Sequence, residues 1–249
     1  MARKHPKDET TADLMIGEFE SAADRIADWV GAHAALVAGA VVVCLVAAAA
    51  YGGWSSWSNR RQLSASNALD TVESAYWTAM GAAPGAFELP ELANPDTAKQ
   101  INAQYAERFR TVQEEHSGTV AGALAGLQRG DLVAAGGDPT VAIEIWRTTV
   151  AATSRNSSVR AILLERIAEA QEASGQWLAA ARTHEQAGEI SAFPLRYWSL
   201  ADAARCYAAG GEPERALALF ERVEAAPTGL RLPVHMRMQL RELRAAAAS

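Results

Sequence analysis

Five histidines, two cysteines and 29 acidic residues are the groups in this chain able to hold a metal ion or move a proton. Their spacing speaks against both. His5, His33, His116, His184 and His235 are scattered, and none belongs to an HExxH pair, which would set two imidazoles on one helical face around zinc. The segment "HEQAG", His184 to Gly188, lacks the second histidine. Cys44 lies in an apolar run and Cys206 in a helical pattern. With no CxxC and no ligand nearby in sequence, both read as small buried side chains. No phosphate-binding loop, GxGxxG or GxSxG occurs. Glu114 and Glu115 sit on an evident solvated helix. His184 reads as a satisfied core histidine. The expectation is a non-enzymatic chain with no catalytic residue, no cofactor and no metal.

What remains is recognition, which depends on the elements that position the surface. The 249 residues are 49% hydrophobic, enough for one sizeable domain and an accessory segment. Alanine is abundant, strand-favouring residues are sparse, and Pro/Gly clusters punctuate alanine-leucine runs. That composition predicts an all-α protein. A net charge of −6 argues against nucleic acid as partner, because phosphate binding needs a basic face.

Trp29 to Ser58 contains no Asp, Glu, Lys or Arg. Its centre, Ala34 to Trp54, matches the roughly 20 apolar residues that cross a bilayer. Trp29 precedes it, and Tyr51, Trp54 and Trp57 mark its other end, as aromatics do at membrane interfaces. The lipid bilayer is therefore an expected partner. The leading segment is too long and too acidic for a cleaved signal peptide. Arg3, Lys4, Lys7 and Arg25 on one side, against Arg60 and Arg61 on the other, leave the orientation a near tie on charge. Gly31, Ala35 and Gly39 form a small-residue stripe able to pair two anchors in a homodimer. Before the span, Met15, Phe19, Ala22, Ile26 and Trp29 recur at helical steps, predicting an amphipathic helix with an acidic polar face.

After the span, Leu69, Val72, Tyr76 and Met80 line one side of a helix expected over 63–80. Three prolines in Gly81 to Asp96 break it. Asp96 resembles the N-cap of a helix reaching about His116, with Ile101, Tyr105, Phe109 and Val112 as its apolar stripe.

Glycines then recur at every fourth position: Gly118, Gly122, Gly126 and Gly130. Each interior glycine costs a helix about 0.5–1 kcal/mol against alanine, so close packing should offset it. A membrane dimer is excluded, because only Thr119 to Leu127 is uncharged and mostly apolar. Gly118 is expected just outside the helix, with Thr119 or Ser117 as cap. The same region opens a repeat. Gly130, Gly137, Ala142 and Trp146 are followed by Ala168, Gly175, Ala180 and His184, then by Ala204, Gly211, Ala216 and Phe220, always at intervals of seven, five and four. Each set predicts a helix, a turn ending in glycine and a second helix.

These three segments resemble the tetratricopeptide family, built from helix-turn-helix units of about 34 residues. The third, Leu200 to Pro227, has the family's tyrosine at Tyr207, turn glycine at Gly211, small residue at Ala216, aromatic at Phe220 and closing proline at Pro227. The second places His184 at the aromatic position, and the first has Gly126 where tryptophan is usual. The resemblance implies an α-solenoid of helical hairpins, which follows the single transmembrane helix expected from the apolar run. The expected domains are an acidic amphipathic tail (1–30), an anchor with its interface (31–57), a helical linker region and degenerate repeat (58–116), and repeats with a capping helix (117–249). A solenoid offers a concave groove lined by the first helix of each pair. Its expected partner-binding residues are Glu165, Glu169 and Glu172 in the second copy and Trp198 and Arg205 in the third. An acidic strip beside an exposed tryptophan suits a basic or amphipathic peptide.

Anchor and repeats together look like the bacterial family of ancillary SecYEG translocon subunits. The stretch from Glu107 to Trp146 is the most family-like, while the extended acidic tail departs from the pattern. That likeness implies a protein-interaction scaffold of the inner membrane, its N-terminus cytoplasmic and its repeats periplasmic, with the export channel or a periplasmic chaperone as partner. The other classes left open are a structural accessory subunit of a membrane complex and a coordinator of cell-envelope assembly.

Overall fold

The computed structural model describes residues 29–226 and 232–247. The expected pre-span helix at Met15 to Ile26 and the closing Pro227 fall outside these residues. Nine helices of twelve residues or more follow one another with no strand among the described residues. They are α1 (Ala34–Ala79), α2 (Pro95–Glu115), α3 (Val120–Ala135), α4 (Pro139–Ala152), α5 (Ser158–Ala173), α6 (Trp177–Gly188), α7 (Arg196–Ala209), α8 (Pro213–Glu224) and α9 (Val234–Ala247). The chain divides into two compact units, with the boundary after Asn59.

The described part of the first unit is helical and apolar. Leu36, Val41, Val42, Val43, Leu45 and Val46 are all exposed among the described residues. Cys44 is exposed as well. This corrects the expectation of a buried side chain, because no described residue covers it. Trp29 stacks on His33 at 4.9 Å, and the Trp54 and Trp57 rings lie 5.5 Å apart. The helix is long and apolar enough to cross a membrane, by length and composition.

Sequence reading separates the apolar span from a helix at 63–80, yet α1 runs unbroken through both. The connecting residues 55–62 are polar but contain no proline. Gly52 and Gly53 cost only about 1 kcal/mol each, too little to end a helix.

In the second unit, successive helices pair as hairpins: the latter part of α1 with α2, then α3 with α4, α5 with α6 and α7 with α8. Leu69, Tyr76 and Met80 of the first pair bury against Tyr105, Phe109 and Val112. The Tyr76 hydroxyl donates to Asn102 and the Tyr105 hydroxyl to the Ala75 carbonyl, at 3.0 and 2.8 Å. Thus part of the segment expected as helical linker region and degenerate repeat (58–116) forms a hairpin continuous with the repeat core. The cap of α2 is Asn94, not Asp96. The Asn94 side chain accepts from the amides of Asp96 and Thr97, because Pro95 takes the first helical position, where its missing N–H costs nothing. At the far end, Leu232, Met236 and Leu240 close the core of α7 and α8.

The four-residue glycine series has the expected cause. Thr119 caps α3, accepting from the Gly122 amide at 3.0 Å, and Gly118 lies outside it with φ +78°. A methyl on Gly122 would come within 2.8 Å of the His116 carbonyl carbon. On Gly126 it would come within 2.7 Å of Thr149 Cγ2, and on Gly130 within 2.6 Å of Trp146 Cε2. The first two helices of the repeat cross at glycine because an indole and a threonine occupy the space.

The repeat's turn glycines share a second property. Gly137, Gly175 and Gly211 have φ of +99°, +71° and +82°, a left-handed conformation that costs other residues about 1–2 kcal/mol. Nothing lies within 4 Å of a Cβ at Gly175. Gly175→Ala should therefore lower stability by about 1 kcal/mol from backbone strain alone, read from the urea midpoint at unchanged slope.

Candidate functional site

The acidic strip of α5 arises from spacing: Glu165, Glu169 and Glu172 recur at steps of four and three, which places them on one helical face. The second helix of the hairpin, α6, brings His184 to that face, in register with Trp146 of α4 and Phe220 of α8. His184 is 2% exposed. Its Nδ1 donates to Glu165 Oε2 at 3.0 Å and its Nε2 to Glu172 Oε1 at 2.8 Å. Two carboxylates on two ring nitrogens require two protons, so the side chain is an imidazolium. Burial alone would lower its pKa, but the hydrogen bonds it donates to Glu165 and Glu172 outweigh burial and hold it at about 9.

Helix α7 completes the cluster. Arg205 Nη2 donates to Glu172 Oε1 at 2.8 Å and to Asp202 Oδ1 at 3.3 Å. Burial works to raise the pKa of Glu172, yet hydrogen bonds from His184 and Arg205 prevail and take it down to about 2. Asp202 goes the other way: burial pushes its carboxyl above the usual range despite His184 and Arg205. Cys206, fully buried beside them, is raised to about 12 by burial and by the Glu172 charge. One further pairing joins the first helices of successive hairpins. Arg166 of α5 reaches Asp131 of α3 at 3.3 Å and Glu169 at 2.9 Å.

Of the five expected groove residues, Glu165, Glu172 and Arg205 meet in one network. Glu169 stays at the surface with Arg166. Trp198 is half-buried, which corrects the expectation of an exposed ring, and it makes no hydrogen bond to the network. The strip is therefore largely neutralised from within: every carboxylate on it has a cationic neighbour in contact. Sequence reading finds the acids but not their partners. The missed signal is His184 itself, a polar residue at an aromatic repeat position with glutamates 12 and 19 residues earlier. Asp202 and Cys206 carried no sequence signal.

Glu172, His184 and Cys206 present ligand-type atoms within 4.8 Å of one another. The donor set does not suit a metal. Both imidazole nitrogens are committed to carboxylates, and Arg205 holds Glu172. For the same reason His184 has no lone pair to act as a general base. What this arrangement can do is tie α5, α6 and α7 together.

No curated protein matches the chain. Two crystal structures of a Podosopora anserina putative kinesin light chain with nearly identical tetratricopeptide-like repeats are similar, at 22% and 20% identity. Each has a TM-score of 0.46 over 61% of this chain, and the match covers 82% and 83% of theirs. A model of the tetratricopeptide repeat-like domain matches residues 27–197. With that match over well more than half its length, and with hairpins closed by left-handed glycines in the expected register, the chain belongs to the tetratricopeptide repeat-like domain family.

Proposed function

We propose that this chain is a membrane-anchored scaffold that binds other polypeptides beside a protein-export channel. In this reading α1 crosses a bacterial inner membrane once, the N-terminal tail is cytoplasmic, and the repeats work in the periplasm. The channel or a periplasmic chaperone is the partner. Stacked helical hairpins are generally non-enzymatic binding surfaces. The observation that carries the reading is the pairing, in one chain, of such a stack with a long apolar helix whose large side chains are exposed among the described residues. Lipid is the natural cover for that surface.

Crosslinking from Trp198 and Glu169 in the native membrane, followed by mass spectrometry, tests it. The expected capture is an export-channel subunit or a periplasmic folding factor. Release of the full chain by alkaline carbonate, or the absence of any polypeptide adduct, overturns it.

One observation favours a second reading. The groove's acids are already paired with His184, Arg205 and Arg166, which leaves less charge for a guest. In that reading the chain is a structural accessory subunit whose anchor segment makes the contacts. Deleting residues 1–58 separates the two: a scaffold retains its partners on the soluble stack, and an accessory subunit loses them.

A further inference from the structure

The first hairpin contains a cleft that the repeat register does not explain. It has a volume of about 590 Å³. Asp70, Glu73, Ser74, Trp77 and Thr78 of α1 form one side, and the Pro84 loop that follows the helix forms the other. Spacings of three and four place the two carboxylates and the indole on one face of α1.

The contrast with the groove is one of charge. There, each carboxylate has an arginine or the imidazolium in contact. Asp70 and Glu73 have no ion-pair partner among the described residues. Burial pushes the Glu73 carboxyl above its usual range, and the neighbouring Asp70 charge adds to it. Two like charges on one cleft wall, Glu73 half-buried and Asp70 exposed, lack the complement that a cation would supply.

Trp77 narrows the choice of cation. It lines the same wall and is half-buried, so its ring is held by packing. A planar guanidinium can stack on an indole while its edges donate to carboxylates, and an ammonium cannot do both as well. Phe87 follows the cleft rim and is 98% exposed. It offers an aromatic surface to residues flanking the cation in an extended chain. The cleft also has more volume than one side chain fills, which leaves room for a piece of polypeptide.

We propose that this cleft docks an arginine presented by a partner polypeptide, with the guanidinium on the Trp77 ring and paired with Asp70 and Glu73. The assignment rests on the scaffold reading and names one contact site within it. It moves the charge-selecting contact from the repeat groove to the first hairpin.

The test uses the full chain in phosphatidylcholine nanodiscs and a fluorescein-labelled heptapeptide of alanine, serine and glycine with one central arginine. Fluorescence anisotropy at low salt should show saturable binding. Citrulline in place of arginine, the same shape without the charge, should weaken it at least tenfold, and lysine severalfold. The D70N/E73Q chain should also bind at least tenfold more weakly, with a thermal midpoint no lower than that of the unaltered chain. Absence of saturable binding overturns the proposal, as does equal binding of the citrulline peptide or equal binding by D70N/E73Q. Crosslinking D70N/E73Q in its native membrane keeps the two readings apart. An unchanged partner set there removes the cleft and leaves the scaffold standing, and loss of an arginine-bearing partner supports both.

Discussion

His184→Phe lowers the stability of the repeat stack by about 3 kcal/mol at pH 6, although phenylalanine fits the site by shape. Phe220 and Trp146 occupy the same register in the neighbouring hairpins and are equally buried. The loss is therefore electrostatic. Removing one partner of a buried ion pair typically costs about 3–5 kcal/mol. The lower end applies because Glu165 and Glu172 keep 21% and 18% of their side-chain surface in solvent, and because Arg205 still holds Glu172. Adding Glu165→Gln to the variant should recover part of the loss by removing the uncompensated charge. The pH dependence follows from the raised imidazolium. A folded-state pKa of about 9 against an ordinary 6.5 gives a stabilisation that is full below pH 6.5 and fades as pH rises through 9. Glu172, held at about 2 against 4.5, gives one that is full above pH 4.5 and fades as pH falls through 2. Urea midpoints of the two chains should thus differ most between pH 4.5 and 6.5 and converge toward pH 9. A constant difference up to pH 10 would show that His184 acts by packing and not by charge.

The second large effect is expected at Gly130. Alanine is ordinarily the better helix residue by about 1 kcal/mol, yet Gly130→Val should cost about 3 kcal/mol. Overpacking typically costs 1–3 kcal/mol, and here the added carbons meet the Trp146 indole. The ring cannot retreat cheaply, because its N–H donates to the Leu127 carbonyl at 3.2 Å and that bond is worth about 1 kcal/mol. The other hairpins show the compensating pattern: Ala168 stands in register with His184 and Ala204 with Phe220, so the largest ring is matched with the smallest residue. Gly130→Val combined with Trp146→Leu should recover at least 1 kcal/mol relative to the sum of the single changes. Strict additivity in that cycle would mean that the two residues do not share the space.

Most of the architecture can be read locally. The seven, five and four residue intervals place the small residues, the turn glycines and the aromatic positions of three hairpins. All three turn glycines take positive φ, a conformation open to glycine at no steric cost. The apolar stripes at Tyr105, Phe109 and Val112 are buried as spacing predicts. Local signals also mislead. Asp96 is a good capping residue, but Pro95 starts the helix two positions earlier than that cap would and gives the cap to Asn94. The weak propensity of Ser55 to Gln62 looks like a break, but both flanking segments are helical and carry α1 across it.

The candidate site divides along the same line. Its acids, its histidine and its arginine are each visible in the sequence, because their types and helical spacing depend only on neighbours in the chain. Which charge meets which was decided by the tertiary structure. Glu165 and Glu172 turn to His184, 19 and 12 residues away, and Glu172 also meets Arg205, 33 residues away. Such pairings follow from how separate helices cross, and helix periodicity fixes directions around one axis without fixing the distance to the next. The sequence thus determined an all-helical repeat chain with one long apolar segment. Packing alone decided that the acidic strip would be neutralised from within and that Asp70 and Glu73 would share one cleft wall with Trp77.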